Sequence, residues 1–226
     1  MPTSLKEQNR PLLWIIIIAN VFFLCGAIQA NAITLAGLGS IFSEPTKLAP
    51  AGFTAVISTL LNGVLSADVK ARLVFLRWRG ALPGHRAFSK YAQTDPRIDP
   101  HVLEKKIGSS LPADPLEQNR LWYTLYKSVE KDPAVAQVHR DFLLLRDYTA
   151  LSAIFIIFNG TVALYAISSL RVLATYLLML FAQYAVVRQS ASQYGIRMVT
   201  TVLARLPAQG VKHSPVRPKK GQSGRE

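Results

Sequence analysis

Four apolar runs, Leu12–Ala32, Leu48–Ser66, Thr149–Ile167 and Val172–Val187, divide the chain, and none contains a Lys, Arg, Asp, Glu or His. Each approaches the ~20 residues with which a helix crosses ~30 Å of hydrocarbon. The pattern predicts an all-α membrane protein with four transmembrane helices, arranged as two hairpins with a small helical cytoplasmic domain between them. Residues 1–66 form the first hairpin, with spans over about 12–32 and 48–66, and residues 67–148 the domain. Residues 149–206 form the second hairpin, with spans over about 149–167 and 172–187 and a helical extension reaching about Arg205. Residues 207–226, rich in Pro, Gly, Ser, Lys and Arg, are expected to be a disordered basic tail.

Between the hairpins the pattern changes from continuous to amphipathic. Ala67–Arg79 keeps a helical composition free of Gly and Pro, so the second span is expected to leave the bilayer as helix. Lys70, Arg72, Arg77 and Arg79 would then pass through the headgroups, with Trp78 as an interfacial anchor. Gly80–Ile98 reads as loop, with turn signals at Leu82-Pro83-Gly84 and Thr94-Asp95-Pro96. Asp99-Pro100, Asp114-Pro115 and Asp132-Pro133 each pair a capping residue with a proline suited to the first helical position. Asp114 and Glu117 also have capping-box spacing. The helices expected here are Pro100–Ile107, stopped by Gly108, then one carrying a Leu121, Leu125, Val129 stripe beside Trp122 and Tyr126. A third starts at Pro133 and meets no breaker before the third span.

Charge supplies the sidedness. The chain carries 26 Lys and Arg against 13 Asp and Glu, a net +13. The excess lies before the first run, between the second and third, and after the fourth, alternating with two nearly uncharged connections. The positive-inside rule then places both termini and the domain in the cytoplasm of a multi-pass inner-membrane protein. Ala30-Asn31-Ala32 resembles a signal-peptidase site, but the run before it exceeds a ~7–15-residue signal core, and the span is expected to be retained. The basic excess is read as topology and contact with anionic membrane lipid rather than nucleic-acid binding, since no recognition-module pattern accompanies it. The single cysteine, Cys25, rules out an intramolecular disulfide and a cysteine-cluster metal site.

Candidate chemistry is sparse. Each run carries a side-chain amide in or near its middle, Asn20, Asn62, Asn159 and Gln183, suited either to adhesion between helices or to lining a polar path. Ala55, Thr59 and Gly63 add a small-residue row for close packing. No run holds an acidic residue or histidine, which speaks against a proton-driven exporter. His139-Arg140-Asp141 lacks the companions of a kinase catalytic loop, and no zinc-protease, Walker or nucleophile-elbow pattern occurs. No catalytic, cofactor-binding or metal-binding residue is therefore assigned. A His85, Asp95 and His139 metal set has no diagnostic spacing. Arg77, Trp78, Arg79, His85, Arg86, Lys90 and Arg97 form a juxtamembrane group suited to a phosphate, a headgroup or an acidic partner. Phe88, Tyr91, Trp122 and Tyr126 would form a small aromatic core behind it.

The stretches LPGHRAFSKYAQTDPRID, LPADPLEQNRLWYTLYKSV and VHRDFLLLRDYTA together resemble a family of bacterial multi-pass membrane proteins of unassigned activity. The resemblance covers about Arg77 to Ala150 and is much weaker in the spans. It implies a bacterial inner-membrane protein of accessory or defence-type gene sets and supplies no catalytic residues. Three functional readings follow. The first is a non-enzymatic effector or adaptor whose domain senses a ligand or protein partner and acts on the membrane helices, most simply as a homo-oligomer. The second, a channel or transporter subunit, requires the four amides to share a lumen. The third, an enzyme acting on lipid or phosphate, requires His85, Asp95, Asp99 and His139 to converge.

Overall fold

A computed structural model describes residues 4–36, 49–108 and 110–208, and all regular structure among them is helical. The connection over 37–48 and the tail over 209–226 lie outside the described residues. In chain order the elements are α1 (Leu5–Gln8), α2 (Arg10–Ala36), α3 (Ala49–Val64) and α4 (Ala67–Phe75). A 3-10 turn (Pro83–Arg86), a π turn (Ala87–Tyr91) and the short α5 (Ala92–Thr94) follow. The chain ends with α6 (Pro100–Ile107), α7 (Pro115–Val129), α8 (Pro133–Ala166) and α9 (Leu170–Ala208).

Three helices, built on α2, α8 and α9, are long and apolar enough to cross a membrane. Their outer faces carry exposed Ile15, Ile18, Phe22, Ile157, Leu164, Leu178, Phe181 and Val186, an apolar belt that water would not tolerate and lipid would. The fourth apolar run gives a shorter helix, since α3 has 16 residues, about 24 Å of rise.

The antiparallel α8–α9 hairpin is the spine. At 34 and 39 residues the two helices are roughly 51 and 58 Å long, well beyond a hydrocarbon core of ~30 Å. They belong to two separate apolar cores. The first joins Leu24 and Ile28 of α2 to Leu151, Phe155 and Ala163 of α8 and Tyr176 and Leu180 of α9. The second joins Val135 and Phe142 of α8 and Met198, Val199, Val202 and Leu203 of α9 to α4, α6, α7 and the short turns. Side-chain amides pin α2 alongside α8 at both ends. Asn9 Nδ2 donates to the Arg140 carbonyl at 2.9 Å, and Asn31 Oδ1 accepts from the Ser169 amide at 2.9 Å. The two helices therefore run parallel, with α3 and α9 antiparallel to them.

All three Asp-Pro pairs cap as expected: Asp99, Asp114 and Asp132 each accept from two backbone amides of the following first turn. Gly108 ends α6 at φ 77°, where its missing Cβ avoids the left-handed penalty. The Asp114–Glu117 pair bonds in one direction, through the Glu117 amide, whereas the full reciprocal capping box forms at Ser4 and Glu7. On α7 the most buried face is Gln118, Trp122, Tyr126 and Val129; Leu121 and Leu125 are half-buried beside it. Phe88, Tyr91, Trp122 and Tyr126 do share one core.

Two expectations are corrected. The helix of the second run does not continue to Arg79. It breaks at Ser66, whose extended backbone (ψ 158°) and hydroxyl cap a new helix at the Val69 amide, and it stops at Leu76, which takes a left-handed conformation (φ 49°). Nor is Gly80–Ile98 an open loop. Gln118, buried on α7, accepts at Oε1 from the Phe88 and Ser89 amides and the Ser89 hydroxyl, each at 3.1 Å, and donates to the Ala113 carbonyl. Those bonds fix the π turn, while the His85 amide closes the preceding 3-10 turn on the Leu82 carbonyl. Gly84 is required there, because a Cβ would meet the Trp122 ring at 2.9 Å and the Asn119 side chain.

Candidate functional site

The two cores meet where α4 packs against α8 and α9, and the unusual chemistry lies at that seam. Lys70 of α4 points inward. Its Nζ donates to Asp147 Oδ1 at 3.1 Å, with both side chains 3% exposed. Arg146 adds two bonds to the same oxygen, from Nε at 3.1 Å and Nη2 at 3.0 Å. Burial lowers the Lys70 pKa and outweighs the opposing pull of Asp147, while Arg146 and Lys6 push it further down. The α9 side chains hold α4 in place: Tyr184 donates its hydroxyl to the Leu73 carbonyl at 2.9 Å, and Arg188 Nη1 donates to Val74 at 3.3 Å. These satisfy carbonyls that a helix end leaves open, and the guanidinium complements the helix dipole.

Beside this network lies a cavity of about 400 Å³ between the start of α2, the end of α3, α4 and α8. Leu13, Trp14 and Ile17 form its apolar wall, and Lys6, Arg10, Lys70, Asp147, Thr59 and Asn62 its polar one. Thr59 bonds back to the Ala55 carbonyl at 2.9 Å. Asn62 Oδ1 is buried and has no hydrogen-bond partner among the described residues.

The other intramembrane amides behave differently from one another. Asn20 is spent on its own helix, donating to the Ile16 carbonyl at 2.9 Å. Gln183 joins α9 to α8 through the Tyr148 hydroxyl at 3.1 Å. Asn159 is fully buried, and neither its amide atoms nor the buried Tyr176 hydroxyl it faces forms a well-aligned hydrogen bond among the described residues. Asn62 alone of the four lines the seam cavity.

The juxtamembrane group does not form one surface. Trp78 is 83% exposed, with the Arg72 guanidinium 5.8 Å from its ring centre. Arg77 lies over the Phe75 ring, while Arg79 and Lys90 are exposed and Arg86 is half-buried. His85 is buried, with Nδ1 3.1 Å from the Leu82 carbonyl. Arg97 forms a two-point pair with Asp95 (2.9 and 2.6 Å) and reaches Thr200 of α9 at 3.1 Å. That guanidinium holds the Asp95 carboxyl far below the usual range.

The four residues proposed for enzymatic chemistry are committed separately: His85 to its turn, Asp95 to Arg97, Asp99 to the α6 cap, and His139 to the Tyr126 hydroxyl at 3.0 Å. No group of three or more His, Cys, Asp or Glu side chains placed to hold a metal occurs among the described residues.

Sequence reasoning placed Lys70 in a snorkelling belt and gave Asp147 no role. A signal was present, since Lys70 is the first cation after the second apolar run and Asp147 the last charge before the third. Both positions sit at the boundary between an apolar run and the charged segment between the runs. No protein-family model matches the chain, and no curated protein or solved structure shows significant similarity to it.

Proposed function

We propose that this chain is a non-enzymatic membrane effector or adaptor, whose cytoplasmic helical domain binds a ligand or partner and acts on the membrane helices through the α8–α9 spine. The observation that carries this reading is that the same two helices supply side chains to both apolar cores. A closely packed helix does not shift at one end without moving at the other, because interiors packed at crystal density transmit strain. Four spans, with α3 as the short one, and cytoplasmic termini fit the parallel course of α2 and α8 and the alternation of basic segments. An inner-membrane setting in bacteria, self-association and contact with anionic lipid belong to the same proposal.

The test is inducible expression in bacteria with a potential-sensitive dye, comparing the wild type with Gln118→Ala, far from the membrane, and Asn62→Leu, at the seam. The expected outcome is a change in membrane potential with the wild type that both substitutions reduce at equal membrane abundance. Gln118→Ala behaving as wild type would separate the domain from the output. No potential change at any expression level would move the output to assembly rather than permeation.

One observation favours the channel or transporter reading as a second. Asn159 and Tyr176 face each other and bury polar atoms that form no well-aligned hydrogen bond, and such groups are commonly satisfied by water. Ion flux in reconstituted vesicles that falls with Asn159→Leu would support it.

A further inference from the structure

The seam cavity differs from an ordinary crevice in how its charges are used. Of its carboxylates, Asp147 already takes three donor bonds at Oδ1 from Lys70 and Arg146. Glu7 is occupied by Ser4, whose backbone amide it accepts at 2.8 Å. Lys6 and Arg10, at the rim, have no ion-pair partner among the described residues. The mouth thus carries two cations, Lys6 and Arg10, against one carboxylate, Glu7, which Arg10 helps hold ionised, and the base holds an Asp147 already paired. Asn62 adds an acceptor turned away from water without a donor. The opposite wall is apolar: Leu13 and Ile17 belong to the bundle core, and Trp14, exposed, lies one turn before Ile18 of the apolar belt on α2.

We infer that this cavity binds a phosphate-bearing amphiphile: the phosphate between Lys6 and Arg10, a neighbouring hydroxyl or ammonium donor on Asn62, and the apolar portion along Leu13, Trp14 and Ile17. Guanidinium and ammonium groups are the usual partners of phosphate oxygens. A buried acceptor left unmade costs free energy that a ligand donor recovers. Lys70 adds background positive potential without direct contact, because its ammonium already faces Asp147. An anionic phospholipid with a hydroxylated headgroup has all three parts; a free phosphate compound has only the first two. The inference goes beyond the coupling role, since occupancy of the cavity does not depend on what the membrane helices do.

The test uses full-length protein purified in detergent and native mass spectrometry with phosphatidylglycerol and phosphatidylcholine of identical chains. Phosphatidylglycerol is expected to be retained at least about tenfold over phosphatidylcholine, the ratio worth ~1.4 kcal/mol. The Lys6→Ala/Arg10→Ala variant should bring the two lipids level, and Asn62→Leu should weaken the preference. Lys105→Ala/Lys106→Ala, on α6 away from the cavity, should leave it unchanged. Inorganic phosphate in excess reports the source. Failure to displace phosphatidylglycerol assigns the site to lipid, whereas displacement assigns it to free phosphate compounds.

Lys6 and Arg10 are exposed, so their loss leaves the packing intact, and Lys6→Arg/Arg10→Lys should keep the preference. Equal retention of the two lipids by the wild type, with no displacement by phosphate, would overturn the inference. So would a Lys6→Ala/Arg10→Ala variant that binds as the wild type does.

Discussion

Lys70 and Asp147 are taken out of water together, and neither tolerates losing the other. Removing one member of such a buried pair costs about 3–5 kcal/mol, because the remaining charge is left uncompensated. Asp147→Ala should therefore destabilise the protein by that order, more than Lys70→Met, since Arg146 still serves Asp147 in the second case. Lys70→Met/Asp147→Leu should recover much of the loss. Thermal unfolding in detergent checks the ranking, and equal melting of all three would mean that the pair is not buried.

A second residue-scale effect concerns pH. Burial, with Arg146 and Lys127 nearby, holds the His139 pKa below its ordinary 6.5. The unfolded chain binds this proton first, so the stability contributed by neutral His139 is full above pH ~6.5 and is lost as pH falls towards the depressed value. Melting temperature should begin to drop as pH falls below about 6.5 in the wild type, and the His139→Gln variant should lack that step. Asp95 acts in a separate window: its pairing with Arg97 stabilises above about pH 4 and fails only in stronger acid.

Among elements, what was legible in the sequence was what is decided locally. The Asp-Pro caps, the Gly108 stop and the unbroken α8 depend on residues within one turn of each other. The π turn reads as loop because its Phe88 and Ser89 amides are satisfied by Gln118, which lies 30 and 29 residues away. The break at Ser66 had a local sign, a serine with Asp68 in the following first turn, masked by the helical composition on both sides. The inward Lys70 had none within its helix, since Asp147 is 77 residues distant. Gly195 shows a packing requirement equally invisible to pattern. A Cβ there would meet the Phe75 ring at 2.8 Å and the Phe142 ring at 2.9 Å, so this glycine lets α4 and α8 close upon α9. Gly195→Val should cost about 1–3 kcal/mol through overpacking. Adding Phe142→Leu should return part of it, and a double-mutant cycle by chemical denaturation would measure that coupling.

At the scale of the molecule, sharing α8 and α9 between two cores makes separate melting of domain and bundle unfavourable. Trp122 fluorescence, which reports the domain in a Trp14→Phe/Trp78→Phe background, and thiol labelling of Cys25, which reports the bundle, should change at one temperature. Two well-separated transitions would show that the halves fold independently. The amides at the two ends of α2 carry a consequence of another kind, in the order of synthesis. Asn9 meets Arg140 across 131 residues and Asn31 meets Ser169 across 138. At ribosomal rates of ~5–20 residues per second, the first helix waits roughly 7–28 s for the partners that anchor it. During that interval Asn9 and Asn31 stand on a helix without their later partners. A nascent chain stalled before α8 would present them to the quality-control proteases of the membrane as an orphan.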